Sequence, residues 1–286
     1  MSIGEEVVTK SISAAQRLFS RSLHLSRRLG WLLALPLLVF LALPLVAISV
    51  RMPPARLLPN LGNPQVLQAI GMSLSSTVMT TLVTVFLGTP VAYLLARRRF
   101  RLRRIVDTLV DLPTVLPPAV AGVALLLAFG RRGLLSGVLQ WLNVEMAFTW
   151  VAVVMAQTFV AAPFYVKAAA LGFGSVEPEL EQAAALDGAS SLQAFRHVTL
   201  PLAWAGLVSG CVMTWARALG EFGATIIFAG NYAGRTQTMP LAIYIGFELD
   251  MDVALALAVI LVSFSFLVLF VVKSLLHREV APGSSG

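Results

Sequence analysis

Six stretches of this chain, near residues 31–50, 70–96, 105–129, 147–172, 203–229 and 252–273, stay apolar for long enough to cross a lipid bilayer. A hydrocarbon layer of about 30 Å takes roughly 20 helical residues. Inside it every backbone N–H and C=O must find a partner within the protein, which leaves helices and closed barrels as the only spanning structures. The stretches lack the period-two alternation of a barrel strand. An all-α, polytopic membrane protein with six transmembrane helices is therefore expected. Composition agrees, since 58% hydrophobic and 12% charged residues make more apolar surface than a soluble core can hide.

Basic residues are distributed unevenly about these stretches. Lys10, Arg17, Arg21, Arg27 and Arg28 precede the first, and Arg97, Arg98, Arg99, Arg101, Arg103 and Arg104 fill the connection after the second. Lys167, Arg196, Lys273 and Arg278 fall on that same side, against Arg51, Arg56, Arg131, Arg132 and Arg235 on the other. Lys and Arg flanking a span are retained in the cytoplasm, so both termini and a polar insert at 175–201 are expected there. The formal charge of +7 is thus a topology signal. The arginine run is not a nucleic-acid signature, because it is short, is interleaved with Phe100 alone among aromatics, and joins two spans. The expected layout is a basic segment at 1–30, a transmembrane domain at 31–275 and a tail at 276–286. The first segment reads either as an amphipathic helix on membrane lipid or as a basic tail, and the run at 31–50, longer than a signal-peptide core, reads as a span.

The chain carries little that could do covalent chemistry. It has no Gly-x-x-x-x-Gly-Lys-Ser/Thr loop to cradle nucleotide phosphates. None of the three histidines, His24, His197 and His277, lies inside a span or near another, which argues against a catalytic base and against a metal site. Cys211 is alone, so no disulfide is expected. Asp107 and Asp111 lie one helical turn apart just beyond the arginine run, and ion pairing with those arginines is the expected arrangement.

The insert at 175–201 is the most polar part of the transmembrane region. Glu177, Glu179 and Glu181 surround Pro178, and a proline and acidic side chains both suit the first turn of a helix. Leu180, Ala183, Ala184 and Leu186 continue it, and Gly188 fits a helix end that needs positive φ. Ser190 or Ser191 can cap a second short helix to about Val198, with Leu200-Pro201 expected to stop it and turn the chain into the fifth span. As pure structure this block is either a docking surface or an inert interfacial hairpin.

The stretch Glu181-Gln-Ala-Ala-Ala-Leu-Asp-Gly188, with Val198-Thr-Leu-Pro201 following, resembles the cytoplasmic signature of ABC-importer permeases: Glu-Ala-Ala, three residues, Gly, nine residues, Ile-any-Leu-Pro. Gln182 and Val198 depart from that pattern. The resemblance implies that Glu181, Gln182, Ala183, Ala184, Gly188, Val198, Leu200 and Pro201 dock a separate ATP-binding subunit. That subunit, in two copies, would hold the ATP and magnesium, and this chain would bind no cofactor itself.

Within the spans, Arg217 and Glu221 lie four residues apart and can pair on one helix face. A charge at the bilayer centre costs about 2.5–3.5 kcal/mol on insertion scales, so such residues face a bundle interior or a wet path. They are candidates for a translocation path or gate, together with Gly220, Gly223, Pro117 and Pro118. The alternative is a static pair knitting helices together. Pro113, Pro117 and Pro118 are expected to interrupt the third span. Gly206 and Gly210 form a small-xxx-small step that suits close helix packing, either within one chain or at a homodimer seam.

Residues Arg217-Ala-Leu-Gly-Glu-Phe-Gly-Ala-Thr-Ile, Gly230-Asn, Gly234-Arg-Thr-Gln-Thr-Met-Pro-Leu-Ala-Ile-Tyr244 and Leu112-Pro-Thr-Val-Leu-Pro-Pro look like permeases for tetrahedral oxyanions. The molybdate/tungstate branch is nearest and the sulfate/thiosulfate branch close behind. The resemblance spans about 65–275. It implies a homodimer in the inner membrane, served by an extracytoplasmic oxyanion-binding protein and working by alternating access. An ion-coupled secondary carrier is the reading outside this class.

Overall fold

The computed structural model describes residues 31–98 and 100–280, which are helices and loops with no strand among them. The expectation for the segment 1–30 falls outside the described residues, as does the end of the expected tail at 281–286. Residues up to Pro53 form one unit and those from Pro54 another.

The first unit contains α1 (Trp31–Arg51), a helix of mean hydropathy 2.7 with none of that window buried. It is apolar all round, the pattern of a helix whose solvent is lipid.

The second unit holds α2 (Pro54–Asn60), α3 (Pro64–Arg97), α4 (Arg103–Val115), α5 (Pro118–Phe129), α6 (Ser136–Trp141) and α7 (Trp150–Gly174). After these come α8 (Pro178–Leu186), α9 (Ser191–Ala194), a π-helical turn at Phe195–Thr199, α10 (Leu200–Leu202), α11 (Trp204–Leu219), α12 (Gly223–Phe228), α13 (Met239–Leu249) and α14 (Met251–Val280). Local chemistry explains the clean starts. Asn63 accepts a hydrogen bond from the Gln65 N–H at 2.9 Å with Pro64 behind it, and Thr149 accepts one from the Ala152 N–H at 3.3 Å.

Four helices, α1, α3, α7 and α14 through Ser274, are each long and apolar enough to cross a membrane, and the total is six where each of two bent pairs is counted as one span. The third expected span, 105–129, is not one helix. It is α4 and α5, bent by 117°. Leu116 and Pro117 each precede a proline, which disfavours helical backbone, and both are extended at ψ 134° and 133°. Pro113, expected to interrupt the span too, stays inside α4. At about 1.5 Å per residue neither arm reaches across 30 Å alone. The fifth expected span, 203–229, is likewise divided: α11 ends at Leu219 and α12 begins at Gly223. Leu200-Pro201 does not stop the preceding helix, because Pro201 sits in the first turn of α10 and needs no hydrogen-bonded N–H there. The chain turns instead at the buried Ala203, where the two arms differ by 68°.

The core lies around α7, with α3 on one side and α11 on another. Lipid tails give helices no hydrophobic reason to associate, so close packing of small residues and buried polar contacts decide the geometry. A Cβ added to Gly206 would lie 2.7 Å from the Gly172 Cα, and one on Gly210 would lie 3.1 Å from the Tyr165 carbonyl oxygen. The glycine step therefore faces α7 of its own chain and is used inside one subunit, not at a seam between two. Across α3 and α7 the buried Thr80 hydroxyl donates to Gln157 Oε1 at 3.0 Å, and the Thr89 and Tyr165 hydroxyls pair at 2.6 Å.

Candidate functional site

The 178–202 block is built by strong local signals. Pro178 opens α8, and Glu179 and Glu181 occupy its first turn. At its end Gly188 has φ +89°. The Ala189 N–H donates to the Ala184 carbonyl at 2.9 Å and the Gly188 N–H to the Ala185 carbonyl at 3.1 Å, the paired bonds of a Schellman cap. Ser190 and Gln193 then form a reciprocal capping box at the start of α9, with bonds of 3.4 and 2.8 Å. The segment passes through the π-helical turn, where the Leu200 N–H reaches back to the Phe195 carbonyl, and enters α10.

Apolar and polar contacts tie the block to the bundle, with Phe195 and Leu200 packed against the core around Phe173. Phe195 meets Tyr93 of α3 edge-on at 5.3 Å and lies 6.1 Å from Phe173 of α7, while Tyr93 and Phe173 are 5.5 Å apart. Glu181 supplies the polar contact. Its Oε1 lies 3.1 Å from Arg97 Nη2 at the end of α3 and accepts the Thr199 hydroxyl at 2.5 Å.

The candidate docking residues divide by exposure. Gln182, Ala183, Gly188 and Pro201 are exposed, whereas Glu181, Ala184, Val198 and Leu200 are half-buried. Ala184, Gly188 and Val198 line a shallow groove of about 360 Å³ with Asp187, Gln193 and His197. In the same block Leu186 and Leu192 stand 89% and 75% exposed.

The second candidate region is the break between α11 and α12. Arg217 Nη1 and Glu221 Oε2 are 2.8 Å apart, as the spacing predicts, but Glu221 lies just past the end of α11 and not on a continuous span. Its other oxygen accepts the Ala224 N–H at 2.8 Å, so one carboxylate joins the last turn of α11 to the first turn of α12. The Glu221 side chain is 1% exposed and that of Arg217 29%. Gly220 is the exposed cap of α11. Gly223 abuts the α4–α5 break, since a Cβ there would lie 2.7 Å from the Pro118 Cβ. Gly122 of α5 faces Ala224 and Ile227 as closely. The structure thus brings Pro118, Gly223 and Glu221 into one region, with Pro117 exposed at the start of α5.

Asp107 and Asp111 pair elsewhere than expected. Both reach Lys167 Nζ, at 2.6 and 2.8 Å, and so bind α4 to α7. Lys167 offers a cation on the facing helix, one the sequence does not place near them. Arg97 and Thr199 were likewise not singled out by the sequence, because Arg97 meets its carboxylate 84 positions away.

Residues 88–281 match the family model described as "Binding-protein-dependent transport system inner membrane component". The chain is 44% identical over 208 residues to the molybdenum transport system permease protein ModB of Mycobacterium tuberculosis, covering 73% of this chain and 79% of that protein. It is 44% identical over 179 residues to the ModB of Haemophilus influenzae, covering 62% and 78%. In fold it is similar to a bacterial ABC transporter that imports the acidic polysaccharide alginate, with a TM-score of 0.68, 16% identity, and coverage of 95% of this chain and 98% of that one. Four helices long and apolar enough to cross a membrane, a capped polar block between α7 and α11 and a match over most of the chain lead to one conclusion: this multi-pass membrane protein belongs to the inner-membrane permease family of binding-protein-dependent ABC transport systems.

Proposed function

We propose that this chain is the membrane-spanning subunit of an ATP-driven importer that carries molybdate, and tungstate with it, into the cell by alternating access. The observation that carries this reading is the 44% identity to molybdenum transport permeases over 73% of the chain. Two copies of the chain would assemble with two ATP-binding subunits, which hold ATP and magnesium, and with an extracytoplasmic oxyanion-binding protein. Both termini and the 178–202 block would lie in the cytoplasm, as the basic residues flanking the spans favour. The exposed Gln182, Ala183 and Pro201 and the groove at Ala184, Gly188 and Val198 supply a surface small enough for close docking.

Closure of the ATP-binding pair would draw the two blocks together. Motion would pass through Ala203 into α11 and reach the region of Arg217, Glu221, Gly223 and Pro118. The test is ATP-dependent uptake of radiolabelled molybdate into vesicles carrying this chain, its ATPase subunit and its binding protein. Competition by tungstate but not by sulfate is expected. Strong competition by sulfate would reassign the substrate, and uptake that survives without ATP but collapses with the ion gradient would overturn ATP coupling.

A further inference from the structure

We propose that Glu181 and Arg97 are positioning residues that lock α8 to the end of α3, so that the 178–202 block moves the bundle through this pair as well as through the covalent chain. The inference rests on the proposed function for its consequence in transport, but not for the lock itself.

Three segments distant in sequence meet on one oxygen atom. Glu181 Oε1 takes the Arg97 guanidinium from the last residue of α3 and the Thr199 hydroxyl from the π-helical turn, while Glu181 itself belongs to α8. The environment makes this more than a surface pair. The Arg97 side chain is 12% exposed and that of Glu181 25%, Thr199 is 1% exposed, and Arg97 Nε is buried without a hydrogen-bond partner. Among the described residues, Glu181 is the carboxylate within ion-pair distance of Arg97. A guanidinium cannot shed its proton to relieve burial, so Arg97 depends on Glu181 for compensation.

Apolar packing does not do this work for α8. None of its residues is buried, in contrast to the π-helical turn behind it, which has Phe195 among the aromatic rings of α3 and α7. The polar node therefore fixes the orientation of α8 against α3. It also engages the Glu181 carboxylate within the chain, while the neighbouring Gln182 is exposed.

Two measurements test this on the full chain. With spin labels at Leu94 and Leu186 in a Cys211→Ala background, the distance distribution between α3 and α8 should be narrow and should broaden in Glu181→Gln. An unchanged width would overturn the lock, whether or not an ATPase subunit binds. In the reconstituted complex, Glu181→Gln should lower molybdate uptake per ATP hydrolysed by about fivefold or more, the scale of an ordinary coupling energy. The exchanged pair Glu181→Arg with Arg97→Glu should recover most of that ratio. Loss of ATPase binding in step with uptake, at an unchanged ratio, would make Glu181 a docking residue and refute the proposal, as would an exchanged pair no better than either single variant.

Discussion

Replacing Glu221 by glutamine changes the charge and one hydrogen-bonding atom at the α11–α12 break while keeping the shape. In the native chain one carboxylate oxygen lies 2.8 Å from Arg217 Nη1 and the other 2.8 Å from the Ala224 nitrogen, and both partners are donors. A glutamine offers one acceptor oxygen and one NH2 group, so whichever way it turns, a donor faces a donor at one end. A hydrogen bond to a charged group contributes about 1.5–3 kcal/mol. Arg217 is 29% exposed and recovers some solvation when its partner is neutralised, which places the loss near 2 kcal/mol, on the order of a thirtyfold change in the folded-to-unfolded ratio. Glu221→Ala removes both bonds and leaves the guanidinium uncompensated, so it should cost about 3 kcal/mol or more. Adding Arg217→Gln to Glu221→Gln should cost little beyond the single change, because the pair is already broken. Equilibrium unfolding of the purified chain by denaturant in mixed micelles reads these values, and molybdate uptake by the reconstituted complex reads the function. Uptake should fall while the ATPase subunit still co-purifies, since the carboxylate sets how α12 joins α11 and lies outside the docking block. A Glu221→Gln protein with an unmoved midpoint and normal uptake kinetics would refute the reasoning.

Gly188 has φ +89° and nothing within 4 Å of an added Cβ, so substitution there meets backbone strain alone. Alanine should cost roughly 1–2 kcal/mol within the turn, with asparagine milder and valine worse, and ATPase co-purification should weaken in that order. Gly206→Ala places a Cβ 2.7 Å from the Gly172 Cα, a backbone atom that cannot swing aside. It should lower stability by about 1–3 kcal/mol, whereas Gly71→Ala, with nothing within 4 Å, should be neutral or stabilising in the same thermal assay. Lys167→Met leaves Asp107 and Asp111 without their cation. Because all three side chains are 39–51% exposed, the loss should stay near 1 kcal/mol, and adding Asp111→Asn should recover part of it in a denaturant titration.

How much of this was legible in the sequence follows from the range of the interactions involved. The uninterrupted apolar runs gave α1, α3, α7 and α14 directly, since a lipid-solvated helix needs no tertiary context to be recognised. The Gly188 cap was legible for a similar reason, as it is closed within a few residues, and so was a serine cap for the second short helix, although the sequence leaves Ser190 and Ser191 as alternatives and it is the structure that pairs Ser190 with Gln193. Leu116-Pro117-Pro118 announced a break, but not its 117°, which accompanies the packing of Gly122 and Gly223 where α5 meets α12. The end of the 178–202 block is not where Leu200-Pro201 suggests, because a proline reads as a stop only when its missing N–H matters. Here a π-helical turn precedes it and Pro201 begins a new register. Asp107 and Asp111 were assigned to neighbouring arginines because the sequence cannot show that Lys167, 60 positions on from Asp107, faces them across a helix interface.

Three sets of ion pairs share an arrangement, from which the exposed Arg131–Glu145 pair stands apart. In two of them the cation stands on a long continuous helix, Arg97 on α3 and Lys167 on α7, and the carboxylates come from short or bent segments, Glu181 on α8 and Asp107 and Asp111 on α4. The third pair, Arg217 with Glu221, sits at a break itself and lends its spare oxygen to the start of the next helix. Helix breaks free backbone groups that lipid cannot satisfy, so they persist only against protein or water. Placing each of these carboxylates on or beside a segment that bends helps to hold that segment against the α3–α7–α11 core, in α4 alongside the apolar packing of Val106 and Val110. The glycine-lined contact between α7 and α11 involves none of these polar partners, so their exchange leaves it in place.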